Sequence, residues 1–246
     1  MRRSRIYTNK ALKEQRTIEL DSRNNHYLMH VLRVKQGQVL GLFNGDGKEY
    51  SARVEALSRK SVTMLITEQV PQRVTESPLH ITLAIAISKG DRMDWVIQKA
   101  TELGVNEIQP LITERVDVKL NTERRNKKFS HWQATLIGAC EQSGRCVLPT
   151  LNPLMSIDEW LQDDSNDCKL VLRANAESFE TIKDQYDSTP KSASVLIGPE
   201  GGLSESEIIA AVQQGYCPVG FGSRVLRTET APMVALTLLQ SNWGDF

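Results

Sequence analysis

Three short stretches of the sequence combine glycines with charged residues in a way that could build a ligand site. They are ISKGDR at 87–92, IGPEGG at 197–202 and GFGSRVLRTETAP at 220–232, and each begins at the end of an apolar run typical of a buried strand. Open α/β sheets bind ligands just beyond the carboxyl ends of their strands. Glycines there leave the main chain bare, so a ligand can approach it closely. The three stretches therefore predict one site at one edge of a sheet.

The residues around the glycines argue against a nucleotide polyphosphate as the ligand. Neither G-x-x-x-x-G-K-[ST] nor G-x-G-x-x-G occurs, and no lysine follows the stretch at 197–202. A ligand held by backbone amides and carbonyls fits this loop better. A plain strand-to-helix turn is the alternative explanation for the glycines.

Charged side chains near these stretches offer a second kind of chemistry. Arg224 and Arg227 could bind anions or carboxylates through two parallel hydrogen bonds, although a solvated surface is the alternative for each. Thr230 is expected to cap the helix that follows. The polar end of a long helix carries Glu141 and Arg145, which could also form a simple i,i+4 ion pair.

The chain after residue 78 alternates between strand and helix patterns. Apolar runs predict covered strands, and helical spacing predicts the segments between them. The predicted strands are 79–88, 106–113, 168–174, 192–198 and 217–222, and the predicted helices are 91–104, 123–144, 204–215 and 231–240. Trp95 is expected to face inward, and Ser204 with Glu207 predicts a capping box. Repeated βα units indicate an α/β fold with a mainly parallel sheet and helices on both faces.

The first 72 residues predict a separate, β-rich domain. Strands are expected at 17–20, 38–43, 48–57 and 61–70, with an NGDG turn and a helical segment at 22–34. This pattern is typical of a small barrel of about five strands and one helix. A proline-containing linker at 71–78 sets the predicted domains at 1–72 and 73–246.

Composition narrows the class of protein and its partners. The net charge is zero, but the first 70 residues hold 13 Lys or Arg against 7 Asp or Glu. This excess indicates a region that binds a polyanion, and the alternative is a basic surface exposed to solvent. Four cysteines without metal-like spacing predict idle thiols, a reducing compartment and no metal. Because neither a signal peptide nor a long apolar run is recognisable, we expect a cytoplasmic protein.

Four longer motifs, SKGDRMDWVIQKATELGV, ACEQSGR, LIGPEGGLSESE and GSRVLRTETA, occur in this order, together with SRIY at 4–7 and HVLR at 30–33. In this combination they resemble the RsmE family, the uridine-N3 methyltransferases of small-subunit ribosomal RNA. The family belongs to the SPOUT superfamily. The resemblance therefore implies a PUA-like RNA-binding barrel followed by a knotted, parallel-sheet methyltransferase domain with a C-terminal trefoil knot.

The resemblance implies S-adenosylmethionine as the cofactor, held by the knot loops. The implied cofactor residues are Leu172, Ile197, Gly198, Pro199, Glu200, Gly201, Gly202, Gly222, Val225, Leu226, Arg227, Thr228, Thr230 and Ala231. A sulfonium compound carries no phosphate, which accounts for the missing lysine.

Methyl transfer to uracil N3 requires loss of the N3 proton or stabilisation of the resulting anion. The candidate proton acceptors are Glu141 and Glu229, and the candidate anion-stabilising residues are Arg145, Arg224, Arg227 and Arg5. We favour an arginine, because these motifs offer more arginines than carboxylates.

The implied substrate is 16S ribosomal RNA within the small ribosomal subunit, and the implied assembly is a homodimer. The predicted RNA-binding residues are Arg5, Arg33, Lys89, Arg92, Lys119 and Arg124. The last helix is a candidate interface element, with burial in its own domain as the alternative. Two other functions stay open: a SPOUT enzyme that methylates a ribose 2′-oxygen, and a non-catalytic RNA-binding factor.

Overall fold

The protein divides into two compact units that are not simple halves of the chain. The structure, a computed structural model, describes residues 3–58, 61–71, 74–116 and 121–246. One unit contains Met1–Glu76 together with Cys140–Leu148, and the other contains Ser77–Ala139 with Pro149–Phe246. The predicted boundary between residues 72 and 73 lies outside the described residues and stays a prediction. The sequence did not indicate that 140–148 groups with the first unit.

A five-stranded sheet forms the first unit. Its strands are β1 (Arg5–Tyr7), β2 (Thr17–Glu19), β3 (Val39–Phe43), β4 (Glu49–Leu57) and β5 (Val62–Val70), in the order β1-β3-β4-β5-β2. The β3–β4 hairpin was predicted from its turn, whose glycines Gly45 and Gly47 have positive φ. Strand β1, which is parallel to β3, was not predicted, because three residues are too short to show a pattern.

A helical segment packs against this sheet. It consists of α1 (Ser22–His26) and a π-helical segment (Tyr27–Val31), where the Leu32 N–H donates to the Tyr27 carbonyl at 3.0 Å. Leu28 from this segment is buried in the core of the unit, among side chains such as Leu42 and Met64. The sequence predicted a helix here but not its π geometry.

A seven-stranded, fully parallel sheet forms the second unit. Its strands are β6 (His80–Ala86), β7 (Glu107–Ile112), β8 (Thr150–Leu151), β9 (Met155–Ser156), β10 (Cys168–Leu172), β11 (Ser192–Ile197) and β12 (Cys217–Val219). The order is β12-β10-β11-β6-β7-β8, and β9 also pairs with β7. The central strands are apolar and buried, as expected of strands covered on both faces.

Helices cover this sheet and end at recognisable signals. They are α2 (Arg92–Glu102), α3 (Thr122–Ser143), α4 (Ile157–Asp163), α5 (Phe179–Lys183), α6 (Glu205–Gln213) and α7 (Thr230–Trp243), and the last four residues of α3 group with the first unit. Helix α6 begins with the predicted capping box of Ser204 and Glu207, and Gly215 follows its end with a φ of 85°. The core on one side joins α4 and α6 to the sheet through Trp160, Ile208 and neighbouring apolar side chains.

Two local predictions about these helices were wrong. Trp95 was expected to face inward, but 42% of its surface is exposed, because Met93, Val96 and Ile97 form the buried face of α2. Thr230 was expected to cap α7, but it is already the first helical residue, and Glu229 precedes it without a side-chain cap.

Candidate functional site

A cavity of about 520 Å³ lies beyond the carboxyl ends of three neighbouring strands in the second unit. Its walls come from the residues that follow β10, β11 and β12, with Arg92 added from the start of α2. The order of these strands in the sheet is β12-β10-β11. The three loops therefore meet at one sheet edge, the position at which open α/β sheets bind ligands.

The loop after β11 is shaped by its glycines. A Cβ at Gly198 would lie 2.7 Å from the Leu203 nitrogen and 2.9 Å from the Gly202 carbonyl carbon, so the loop's own main chain excludes a side chain there. Gly202 has a φ of 68°, and its N–H donates to the Pro199 carbonyl at 2.8 Å. The bare main chain at this wall is thus a requirement of the tight loop itself.

Side chains from outside the loop hold it in place. Arg115 Nη1 donates to the Gly201 carbonyl at 2.8 Å and to the Leu203 carbonyl at 3.3 Å. Glu207 closes the capping box of α6 and also accepts a hydrogen bond from the Glu114 N–H at 2.7 Å. The segment after β7 therefore supports the glycine-rich loop from behind.

A charged network connects the two loops on either side of the cavity. Arg92 pairs with Glu200 of the first loop, and its Nε lies 3.7 Å from Glu229 Oε2 of the second. Arg227 Nη1 approaches the other oxygen of Glu229 at 3.8 Å. Partial burial opposes ionisation of Glu200, but hydrogen bonds from the Glu200 and Lys89 N–H groups and from Arg92 hold its pKa below the usual value. Glu200 is therefore an anion at neutral pH.

The loop after β12 presents both apolar and cationic groups. Val225 lines the cavity although 91% of its surface is exposed, and Thr228 is buried. The Arg227 carbonyl accepts hydrogen bonds from the Thr230 and Ala231 N–H groups at 2.9 and 3.0 Å. These two bonds satisfy donors at the start of α7 that a side-chain cap would otherwise serve.

All of the predicted cofactor residues except Thr230 line this cavity. They are Leu172, Ile197, Gly198, Pro199, Glu200, Gly201, Gly202, Gly222, Val225, Leu226, Arg227, Thr228 and Ala231. Of the candidate catalytic residues, Arg224, Arg227 and Glu229 also belong to its lining. Within the described ranges no carboxylate pairs with Arg224, which is exposed.

Glu141 and Arg145 lie in the first unit, where each has a structural partner. The suggested ion pair between them is wrong: Arg145 Nη2 pairs with Glu76 Oε2 at 2.6 Å, and Glu141 Oε1 accepts from the Tyr7 N–H at 3.0 Å. Burial raises the pKa of Glu141, and the hydrogen bond from Tyr7 opposes this shift only in part. Neither residue is among the described residues that line the cavity.

Arg5 was predicted to bind RNA, but the structure builds it into the interior of the first unit. Its Nε pairs with Glu49 Oε2 at 2.7 Å, and its terminal nitrogens donate to the carbonyls of Cys140 and Arg145 at 2.6 and 2.9 Å. The guanidinium also lies 4.6 Å from the centre of the Phe43 ring. With only 8% of its surface exposed, Arg5 is not available to a phosphate.

The other predicted RNA-binding residues have different surroundings. Arg33, Lys89 and Arg124 are exposed, as a phosphate contact requires. Arg92 is engaged in the charged network of the cavity, and Lys119 lies outside the described residues. The role of these residues in RNA binding stays a prediction.

Several residues that line the cavity were not predicted from the sequence. They are Arg173, Ala174, Leu203 and Phe221, and Arg115 was missed as a support of the loop. Arg173 and Ala174 directly follow β10, so the rule that ligands bind at strand ends could have found them. Nothing in the sequence indicated Arg115, because its contact with Gly201 depends on tertiary structure.

The described residues offer neither a metal-binding cluster nor a membrane-spanning helix. In the described part of the chain, no group of three His, Cys, Asp or Glu residues could hold a metal ion. No helix there combines the length and the hydropathy needed to cross a bilayer. The four cysteines are free thiols, and burial raises the pKa of Cys140 to about 12.

Comparison with known proteins assigns the chain to a family. An RNA methyltransferase PUA domain family matches residues 20–67, and an RNA methyltransferase domain family matches residues 75–240. Ribosomal RNA small subunit methyltransferase E from Buchnera aphidicola is 33% identical over 242 residues, covering 98% of this chain and 94% of the relative. The chain belongs to the RsmE family. The Bacillus subtilis member is 32% identical to this chain, and the match covers 94% of this chain and 93% of the relative.

Two solved methyltransferase structures confirm the fold. A chain from Legionella pneumophila, in complex with the bound cofactor SAM, gives a TM-score of 0.94 at 41% identity, with both chains fully covered. RsmE from Neisseria gonorrhoeae, bound to S-adenosyl methionine, gives 0.90 at 37% identity with the same coverage. The predicted α/β class, with a β-rich PUA-like domain before a parallel-sheet methyltransferase domain, is thereby confirmed.

Proposed function

We propose that this RsmE family member transfers a methyl group from S-adenosylmethionine to N3 of one uridine in 16S ribosomal RNA, within the small ribosomal subunit. The observation that carries the proposal is the cavity at the strand ends of the second unit. Its lining contains nearly all of the residues that the family resemblance assigns to the cofactor. Two similar structures, from Legionella pneumophila and Neisseria gonorrhoeae, hold that cofactor.

The residues of the cavity fit a cofactor of this kind. A volume of about 520 Å³ lies within the usual range for small-molecule sites. Leu172, Ile197 and Leu226 offer apolar walls, and the loop at 198–202 offers main-chain groups without side chains in the way. When bound, S-adenosylmethionine supplies an activated methyl group on a positively charged sulfur. The carboxylates Glu200 and Glu229 suit that charge.

Two residues of the cavity are the best candidates for activating the uracil. Arg224 is exposed at the wall and pairs with no described carboxylate, so its guanidinium is available to stabilise negative charge on a uracil oxygen. Glu229 is the carboxylate of this loop that could accept the N3 proton. Arg5, Arg145 and Glu141 are weaker candidates, because internal contacts of the first unit already engage them.

The remaining parts of the proposal concern assembly and location. We expect a cytoplasmic homodimer with a C-terminal trefoil knot, as the family resemblance implies. Helix α7 buries Ala235, Leu236 and Leu239 within its own unit, while Met233 and Val234 stay half-buried and offer apolar surface to a second copy. Analytical ultracentrifugation of the purified protein tests the dimer.

The decisive experiment compares the nucleosides of small-subunit RNA from cells with and without the protein, by mass spectrometry. The proposal predicts 3-methyluridine in the first sample and its loss from the second, with all other modified nucleosides unchanged. Restoration by the wild-type gene, but not by an Arg224→Ala variant, would link the modification to the cavity. Loss of a 2′-O-methylated nucleoside instead would indicate a ribose methyltransferase, and no change at all would favour a non-catalytic RNA-binding factor.

A further inference from the structure

Helix α6 leaves two large apolar side chains on the surface of the second unit. Ile209 has 51% of its surface exposed and Val212 46%, and their i,i+3 spacing places them side by side on one face of the helix. The opposite face of α6 is buried in the core through Ile208 and Ala211. Because β-branched residues are weak helix formers, the exposed pair does not serve the stability of the helix. The pair is therefore a candidate contact surface.

Exposed acidic side chains lie on the helix next to this pair. Helix α4 packs beside α6 in the same core cluster, and three of its exposed residues are Asp158, Glu159 and Asp163. No lysine or arginine occurs in 152–168 or in 203–216, the segments that contain the two helices. We call the following set of residues the acidic face: Ile209, Val212, Asp158, Glu159 and Asp163.

The carboxylates of the acidic face are charged at neutral pH. Hydrogen bonds from the Ser156 hydroxyl and N–H hold the pKa of Glu159 below its usual value. Asp163 is the last residue of α4, where the helix end carries partial negative charge and a carboxylate is unfavourable. Asp163, like the apolar pair, is therefore not explained by the stability of its helix.

The charge of the surrounding chain excludes RNA as the ligand of this face. Residues 152–216 hold 12 Asp or Glu against 4 Lys or Arg, the opposite balance to that of the first 70 residues. Such a surface repels phosphates and attracts a positively charged partner. The exposed apolar pair gives that partner something to cover besides charge.

We propose that the acidic face docks a basic segment of a protein. Apolar side chains of the segment would cover Ile209 and Val212, and its lysines or arginines would face the carboxylates of α4. The inference rests on the proposed function, because a small ribosomal subunit presents proteins as well as RNA, and proteins that bind RNA carry clustered Lys and Arg. The face would thus hold the enzyme on its substrate through a protein of the subunit.

The double variant Ile209→Ala, Val212→Ala tests the apolar part of the face. Alanine is a better helix former than either residue, so the Tm should equal or exceed the wild-type value. The Kd for unmethylated small ribosomal subunits should rise at least about fivefold, because buried methyl groups are lost. The Kd for protein-free 16S ribosomal RNA should stay within about twofold of the wild-type value. A purely structural role of the two residues cannot give this combination.

The variant Asp163→Asn tests the charge of the face. It removes a carboxylate that a basic segment would contact, so the Kd for small subunits should rise about two- to fivefold. The affinity for protein-free 16S ribosomal RNA should stay the same or increase, because one source of repulsion is lost. Weaker binding of both the subunit and the free RNA would overturn the inference.

Matched controls lie elsewhere on the second unit. Phe246→Ala removes an exposed apolar side chain and Asp245→Asn removes an exposed carboxylate, both outside the acidic face. Each should leave both Kd values within about twofold of the wild-type values. Wild-type affinity of the face variants for small subunits would overturn the inference. A lower molecular mass of the double variant in ultracentrifugation, with unchanged subunit affinity, would overturn it in favour of a contact between two copies of this chain.

The proposed function is read out separately from the acidic face. Methyl transfer by the wild-type protein to unmethylated small subunits tests the function, and the subunit Kd of the variants tests the face. At saturating subunit concentration the variants should methylate at the wild-type rate, because the cavity residues are unchanged. If the wild type methylates and the variants bind subunits normally, only the inference fails. If the wild type does not methylate, the function fails, and the subunit Kd values still decide on the face.

Discussion

The arginines of this chain illustrate how partners decide the role of a residue. Arg5 and Arg145 are buried in ion pairs with Glu49 and Glu76, whereas Arg224 is exposed at the cavity wall without a described carboxylate partner. Arg92 is intermediate in exposure, and its side chain contacts carboxylates of two different loops. The same residue type thus serves stability and loop positioning, and for Arg224 we propose a role in the chemistry.

We predict that Arg92→Ala weakens S-adenosylmethionine binding. Without Arg92, Glu200 and Glu229 repel each other and the two loops lose their connection. An exposed pair contributes about 1 kcal/mol, so the Kd measured by calorimetry should rise roughly fivefold. Lys99→Ala, which breaks the Lys99–Glu102 pair on the same helix, is the control and should leave the Kd unchanged. An unaltered Kd in Arg92→Ala would show that the network does not position the loops.

Glu141 allows a test that separates structure from catalysis. Glu141→Gln keeps an acceptor for the Tyr7 N–H, so we expect a single-turnover methylation rate near that of the wild type. Glu141→Ala leaves that N–H without its acceptor and should lower the free energy of unfolding by about 1 kcal/mol or more. A collapse of the rate in Glu141→Gln, with cofactor binding intact, would make Glu141 the base.

The same residue predicts a pH dependence of stability. A carboxyl whose pKa is raised on folding binds its proton more tightly in the folded state, so the free energy of unfolding falls as pH rises through that pKa. Glutamine does not titrate, so the free energy of unfolding of Glu141→Gln does not fall in this way. Its stability relative to the wild type should therefore increase between about pH 4 and about pH 7, as measured by urea denaturation. A constant difference across this range would contradict the shift.

At the scale of elements, the glycine-rich loop is the part most sensitive to substitution. Gly198→Ala forces a methyl group against the Leu203 nitrogen and the Gly202 carbonyl carbon, so the loop must move. We expect at least a tenfold rise in the Kd for S-adenosylmethionine, which corresponds to about 1.4 kcal/mol. Gly138→Ala is the matched control. Its Cβ meets nothing within 4 Å inside α3, and the change should stabilise the fold by about 0.5–1 kcal/mol. Equal effects of the two substitutions would refute this account of the loop.

Elements with strong local signals could be predicted from the sequence, and elements that depend on distant partners could not. The capping box of α6 and the hairpin turn at 44–47 are encoded within a few residues. Strand β1 has only three residues, and helices α4 and α5 were missed because they are short. Trp95 was misplaced because the buried face of α2 is already filled by its neighbours.

The candidate site also contains residues that local sequence signals predict and residues whose contacts depend on distant partners. The glycines and arginines of its loops stand out in the sequence, so most of the cavity lining was predicted. The stretch at 87–92 was predicted to reach the site, but the contacts of Arg92 with Glu200 and Glu229, and that of Arg115 with Gly201, join residues about 90 to 140 positions apart, which no local pattern encodes. Arg5 was assigned to RNA because its charge is visible in the sequence while its burial beside Glu49 is not.

At the scale of the whole molecule, we expect two separate binding functions. The cofactor cavity belongs to the second unit, whereas residues 20–67, which match an RNA methyltransferase PUA domain family, belong to the first. Raising the salt concentration from about 50 to about 200 mM should weaken RNA binding strongly through competition for phosphates. The Kd for S-adenosylmethionine, which has no phosphate, should change less than twofold in the same titration. Parallel salt dependence of both ligands would contradict this separation.

The most direct test of the central claim is a crystal structure of the protein with S-adenosylmethionine. We expect density for the cofactor in contact both with the main chain at 198–202 and with the segment at 224–231. Density at any other place, or a cavity that stays empty while the cofactor binds elsewhere, would contradict the account.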